Sequence, residues 1–138
     1  MASPILNSLR SHWPEYVIEA VGLGLFMISA GIVTIYLEYP QSPVHQAIAD
    51  PVVRRVVMGL AMALTLVSLV YSPWGRQSGA HFNPAVTLTF FRLGKVKPWD
   101  AMFYIVAQMA GGIAGVLVVF AMFGDSFARP PEIGRAHV

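Results

Sequence analysis

Ser78-Gly79-Ala80-His81-Phe82-Asn83-Pro84-Ala85-Val86-Thr87-Leu88-Thr89-Phe90-Phe91-Arg92 is too apolar for an ordinary loop and too short to cross a bilayer. Asn83 followed by Pro84 is a helix start. Asparagine caps the orphan backbone N–H groups, and proline at the first helical position gives up no donor the helix needs. The sequence therefore predicts a half-helix over 83–92, with about two turns from Ala85 to Phe91 before Gly94 ends it. A half-helix that enters a membrane and stops leaves the carbonyls of Gly79, Ala80, His81 and Phe82 unpaired at depth. That is tolerable only where they line a water-filled cavity or are buried in protein. A pore or a binding site is implied.

The flanks supply the membrane. Tyr16 to Tyr36 is an apolar run broken only by Glu19 and a few small polar residues, long enough for a first span at 16–36. Val56 to Tyr71, extended by Val52 and Val53, gives a second at 52–71. Ala101 to Phe123, with Gln108 as its one strongly polar side chain, gives a third at 101–123. Met1 to Arg10 lacks the ordered regions of a signal peptide, so the first span reads as a retained helix. Glu38 to Asp50, with Pro40 and Pro43, reads as a connecting loop rather than a regular helix. Arg10, Arg76, Arg92, Lys95 and Lys97 fall on one side of these spans and Arg54 and Arg55 on the other, which predicts a cytoplasmic N-terminus in a plasma (inner) membrane. Arg54 and Arg55 are expected to anchor the second span at the outer interface.

Composition agrees. The chain has 138 residues, 56% hydrophobic and 12% charged, with a mean hydropathy of +0.61. A soluble domain carries roughly twice that charge. The 10 prolines and 12 glycines point to interrupted helices and close helix contacts. Without cysteine there is neither a disulfide nor a thiolate metal site, and no set of metal ligands or nucleophile with a nearby base suggests a metal centre, a cofactor or an enzyme. The net charge of +2 comes from basic residues that flank apolar stretches, which reads as topology and not as nucleic-acid binding.

The half-helix has a chemistry of its own. If the Asn83 side-chain oxygen accepts the capping bond, its amide nitrogen is left as a donor off the helix end, beside a row of carbonyl acceptors. The roughly half positive charge at that end raises the barrier for cations and hydronium. Passage is biased toward small neutral molecules.

The motif Ser78 to Leu88 resembles the first Asn-Pro-Ala signature (Asn83, Pro84, Ala85) of the aquaporin and glycerol-facilitator family. Glu19 with Gly22 and Gly24 resembles the family's first helix, and Ala107-Gln108-Met109-Ala110-Gly111-Gly112 its third. The resemblance implies an all-α membrane protein, with residues 1–131 as the first of two inverted repeats of three spans and a re-entrant half-helix. The full-length channel would be a homotetramer with one pore per subunit, and one repeat would supply one wall. Pore lining is implied for Gly79, Ala80, His81, Phe82 and Asn83. The outer-constriction position falls at Ala63 or Leu64, neither aromatic, which implies a pore wider or less selective than a pure water channel.

Two polar residues in the spans admit two readings each. Glu19 is a proton relay or ion site by the default for intramembrane carboxylates; the resemblance implies instead that it braces the re-entrant loop, and Gln108 likewise. His81 is a pH sensor or metal ligand by its chemistry; the resemblance implies a backbone carbonyl in the pore and a side chain in the wall. Phe82 and Val86 read as apolar lining and packing. Gly111 with Gly115, and Gly59 with Ala63, read as small-residue helix contacts. Three functions follow: a passive channel for water or small neutral solutes such as glycerol, here an incomplete half; a half-size protein that pairs with an antiparallel copy, against which the charge bias speaks; and part of an ion-coupled transporter with Glu19 as the coupling carboxylate.

Beyond Phe123 the chain turns polar. Glu132 to Val138 is what results from translating the start of a common sequencing-library adapter (GAG ATC GGA AGA GCA CAC GTC), and 132–138 is expected to be an adapter-derived tail outside the functional argument.

Overall fold

In a computed structural model, residues 3–128 are described, so the expected tail at 132–138 lies outside the described residues. The chain forms α1 (Pro4–Glu38), α2 (Pro43–Ala47), α3 (Pro51–Tyr71), α4 (Pro73–Ser78), α5 (Pro84–Arg92), α6 (Pro98–Phe123) and α7 (Asp125–Ala128). Six of these seven helices begin with proline, which fixes a helical φ where no N–H is needed. Ser3, Ser42, Asp50, Ser72 and Asn83 cap five of them through side-chain oxygens. The prolines of this apolar chain are start signals more than interruptions.

Among the described residues the exceptions are Pro40, in the turn after α1, and Pro14. Pro14 lies inside α1, and the helix breaks just before it at His12 (φ −126°, ψ 16°), because the proline ring removes a backbone donor and crowds the preceding turn. The first span is thus part of a longer helix that begins at Pro4, well ahead of the expected Tyr16. The loop after it is also more ordered than its prolines suggested: α2 forms within it, and the Ser42 hydroxyl donates to Tyr36 O at 2.6 Å.

α1, α3 and α6 are long and apolar enough to cross a membrane. α1 packs chiefly along α6, and glycines permit it. A Cβ on Gly24 would lie 2.9 Å from the Gly111 carbonyl oxygen, and one on Gly111 or Gly115 would run into the backbone of Ala20 or Gly24. Lipid gives helices no hydrophobic drive to associate, so close backbone approach of this kind supplies the attraction. The Gly59–Ala63 pair, by contrast, serves no contact here, because Gly59 faces open space.

α3 packs against α1, with the Ser29 and Thr65 hydroxyls 2.8 Å apart, but most of its residues are exposed. Leu60, Leu64 and Val67 are 62, 69 and 53% exposed, surface that water would not tolerate over such a length. Arg54 corrects one expectation. It does not reach out to the interface as an anchor but is buried, donating to Ile48 O and Ala49 O at 2.9 Å each and pairing with Glu38 at 3.4 Å. It clasps the loop between α1 and α3 onto the ends of both helices, while Arg55 stays exposed.

Gly111→Val should separate α1 from α6 and lower stability by about 1–3 kcal/mol through overpacking, whereas Gly59→Val should change it little. Thermal unfolding of both variants in the same detergent reads the difference.

Candidate functional site

Between α4 and α5 the backbone reverses. Gly79 caps α4 at φ 88°, and Ala80 and Phe82 follow at φ 52° and 43°. Left-handed conformations at residues with a Cβ cost about 1–2 kcal/mol each, so this run needs outside support. The turn carries the N–H groups of His81 and Phe82 onto one carboxylate, Glu19 of α1.

Glu19 is fully buried and accepts four hydrogen bonds: Ser78 Oγ at 2.7 Å and His81 N at 3.0 Å on Oε1, and Phe82 N at 2.6 Å and Gln108 Nε2 at 2.8 Å on Oε2. All four partners are donors, which matches an acceptor-only group. A carboxylate in such a place would be costly were its oxygens not engaged.

Gln108, also fully buried, extends the network from α6. Its Nε2 donates to Glu19 and, at 2.9 Å, to Thr87 Oγ1 on α5. The acceptor-only Glu19 fixes the orientation of the amide and leaves Gln108 Oε1 buried without a protein partner. Thr87 Oγ1 lies 3.0 Å from His81 Nδ1. Having accepted from Gln108, the threonine hydroxyl still has its own proton and a second lone pair to offer that nitrogen, so the contact suits either imidazole tautomer. The His81 ring is buried, stacked on Phe90 at 4.9 Å and tilted against Tyr104 at 5.0 Å. The Tyr104 hydroxyl donates to Ser78 O at 2.7 Å.

At the end of α5, Asn83 is exposed, and its Oδ1 accepts from Ala85 N at 2.8 Å. Its amide nitrogen is thereby left facing out. The other end of α5 closes with Lys95 N on Phe90 O (2.9 Å) and Gly94 N on Phe91 O (3.0 Å), the paired bonds of a Schellman turn with Gly94 at φ 69°. The Phe82 ring fills the space over Gly22, beside an apolar cleft of about 250 Å³ that also borders Val21, Leu25, Leu69 and Trp74.

The structure thus brings Gly79 to Asn83, Glu19 and Gln108 into one cluster. Ala63 and Leu64 stand apart from it on an exposed side of α3. Ser78, Thr87 and Tyr104 belong to the cluster although the sequence reading gave them no role. A signal existed for Tyr104, because Asp100, Tyr104 and Gln108 are spaced by four on an otherwise apolar helix and so share one face.

The family described as Major intrinsic protein matches residues 6–134. Aquaglyceroporin AqpS of Rhizobium meliloti (strain 1021) is 37% identical over 110 residues, which cover 78% of this chain and 42% of the relative. Aquaporin-1 of Homo sapiens is 31% identical over 133 residues, 94% of this chain and 47% of the relative. Probable aquaporin AqpM of Archaeoglobus fulgidus is 39% identical over 77 residues, 56% and 31% respectively. The chain spans less than half the length of these curated relatives. No solved structure matches significantly.

Glu19→Gln should set an amide N–H₂ against two backbone or side-chain donors and destabilise the fold by about 2–6 kcal/mol, at about 1–3 for each unsatisfied group. Hydrogen exchange at the His81 and Phe82 amides should accelerate more than exchange in the middle of α3. Equal acceleration everywhere would mean that Glu19 does not hold the turn.

Proposed function

This chain belongs to the major intrinsic protein family, and on that premise we propose that it forms one wall of a passive channel for water or small neutral solutes such as glycerol. It is an integral membrane protein with three apolar helices, and the family consists of channels rather than enzymes. In the proposed arrangement α5 is a re-entrant half-helix whose Asn83 end lies near mid-membrane, and the N-terminus faces the cytoplasm. The carbonyls of Gly79 to Phe82 offer a file of acceptors to the solute.

The observation that carries this reading is the Asn83 cap. With Oδ1 engaged by Ala85 N, the amide nitrogen is a donor of fixed direction at the positive end of a short helix, next to a left-handed turn. A neutral molecule that both donates and accepts fits such a row, and a cation meets the helix dipole. Glu19 supports a passive mechanism rather than ion coupling, since it is fully buried with both oxygens doubly engaged. Glu19 and Gln108 are then bracing residues. Ala63 and Leu64 remain the proposed contribution of α3 to the outer constriction, with no aromatic ring to narrow it. The rest of the pore would come from a second repeat such as the longer relatives have room for, and the complete channel would assemble as a homotetramer.

The test is stopped-flow water and glycerol permeability of proteoliposomes carrying this chain, alone and co-expressed with the remaining part of the rhizobial relative. Asn83→Asp is the informative variant, because aspartate caps a helix as well as asparagine but removes the donor. Loss of one hydrogen bond of about 1 kcal/mol predicts roughly fivefold lower permeability at unchanged stability. Unchanged permeability would remove Asn83 from the solute path.

A further inference from the structure

The end of the bundle that carries Arg10, Arg76, Arg92, Lys95 and Lys97 has features that solute passage does not use. All five side chains are exposed, and among the described residues none takes part in a salt bridge. Trp13, Tyr71, Trp74 and Trp99 lie at the same end, 59, 66, 66 and 37% exposed. Indole and phenol rings favour the headgroup layer of a bilayer, where one edge is wet and the face is apolar. Cations beside them attract anionic headgroups.

Within this rim the turns of α1 ahead of the His12 break and the start of α6 flank an open cavity of about 380 Å³. Asn7, Ser8, Ser11, His12, Lys97 and Trp99 line it. Its lining is richer in polar groups than the apolar cleft beside Phe82, with an amide, two hydroxyls, an imidazole and an ammonium among the residues around it. Neither Glu15 nor Asp100 lines it, but Asp100 stands directly behind the wall, with the Ser8 and His12 side chains turned onto it. Asp100 is already engaged by His12 Nδ1 at 3.0 Å and the Tyr16 hydroxyl at 2.6 Å, bonds that also fix the α1 segment against α6.

From the cavity an apolar track leads into the membrane. Trp99, Met102, Val106, Met109 and Ile113 follow one another at spacings of three and four on α6, and the last four are 46, 61, 52 and 57% exposed. A pocket with polar side chains at its rim that continues into an exposed apolar stripe on the same helix has the two-part chemistry of a phospholipid.

We propose that this cavity binds the phosphate-bearing headgroup of an anionic phospholipid, with Lys97 supplying the charge, Asn7 and Ser11 the hydrogen bonds, and the α6 stripe the bed for an acyl chain. The site rests on the membrane placement of the helices and not on which solute the channel passes. It would tie the segment before the His12 break to the bilayer surface.

The experiment is native mass spectrometry of the full chain in mild detergent, titrated with phosphatidylglycerol or with phosphatidylcholine of the same acyl chains. Phosphatidylglycerol should bind more tightly. Lys97→Gln should weaken it about fivefold, as removal of one basic residue near a charged lipid predicts, and Lys97→Arg should restore it. Arg76→Gln, at the same end but outside the cavity, should leave binding unchanged. Thermal unfolding without lipid checks that the variants are folded, and Lys97, exposed and outside the helix network, should not alter it. No preference for phosphatidylglycerol would overturn the proposal. So would an equal loss in Arg76→Gln, which would assign the preference to a diffuse positive face, or competition by soluble glycerol 3-phosphate as strong as that of the lipid.

Discussion

A carboxylate in an apolar helix must have its oxygens engaged, and the structure around the short helix α5 follows from how Glu19 meets that demand. The donors it takes are two backbone N–H groups of the turn, one hydroxyl beside it and one amide from α6. Presenting His81 N and Phe82 N to the same side chain requires the backbone to reverse, and Ala80 and Phe82 accept left-handed conformations to do so. Each of these costs about 1–2 kcal/mol, whereas each hydrogen bond to a charged group contributes about 1.5–3 kcal/mol. The turn is held because the carboxylate has no other donors, and the carboxylate is tolerated because the turn supplies them.

That exchange needs α1 and α6 to lie close enough for Glu19 and Gln108 to touch at 2.8 Å. Glycine provides the approach. Gly24, Gly111 and Gly115 let backbone meet backbone, and in lipid such contact replaces the hydrophobic drive that would pair helices in water. The polar face of α6 then works along its length: Asp100 holds the start of α1, Tyr104 the carbonyl of Ser78, and Gln108 both Glu19 and Thr87. One helix face thereby positions the N-terminal segment, the turn and the short helix together.

The remaining surface reflects its solvent. α3 buries little besides Arg54 and exposes leucine and valine on several sides, which is stable only against lipid or further protein. The two ends of the bundle differ in kind. At one, Arg54 is drawn inward to close a loop over α1 and α3; at the other, the cations stay exposed among tryptophans. The same residue type serves loop closure where carbonyls and Glu38 surround it, and faces outward where none do.

By itself the sequence determined the three apolar helices, the Asn83–Pro84 start of the short helix and the Gly94 stop, because these depend on hydropathy, capping and φ preferences that act over a few neighbouring residues. The family was legible too, since its motif is contiguous. Glu19 and Gln108 stood out as polar residues in apolar runs. The tertiary structure alone decided their partners: Thr87 as the bridge between Gln108 and His81, Tyr104 on Ser78, and Arg54 turned inward rather than outward. Those contacts join residues dozens of positions apart, and a hydroxyl or guanidinium carries no local mark of which distant carbonyl or amide will reach it. The extension of α1 to Pro4 and the turn of α2 were missed for a related reason, because proline reads as a breaker unless one knows that the helix begins at it. Local rules set each helix, and only close packing of α1 on α6 decided which polar groups would have to satisfy one another.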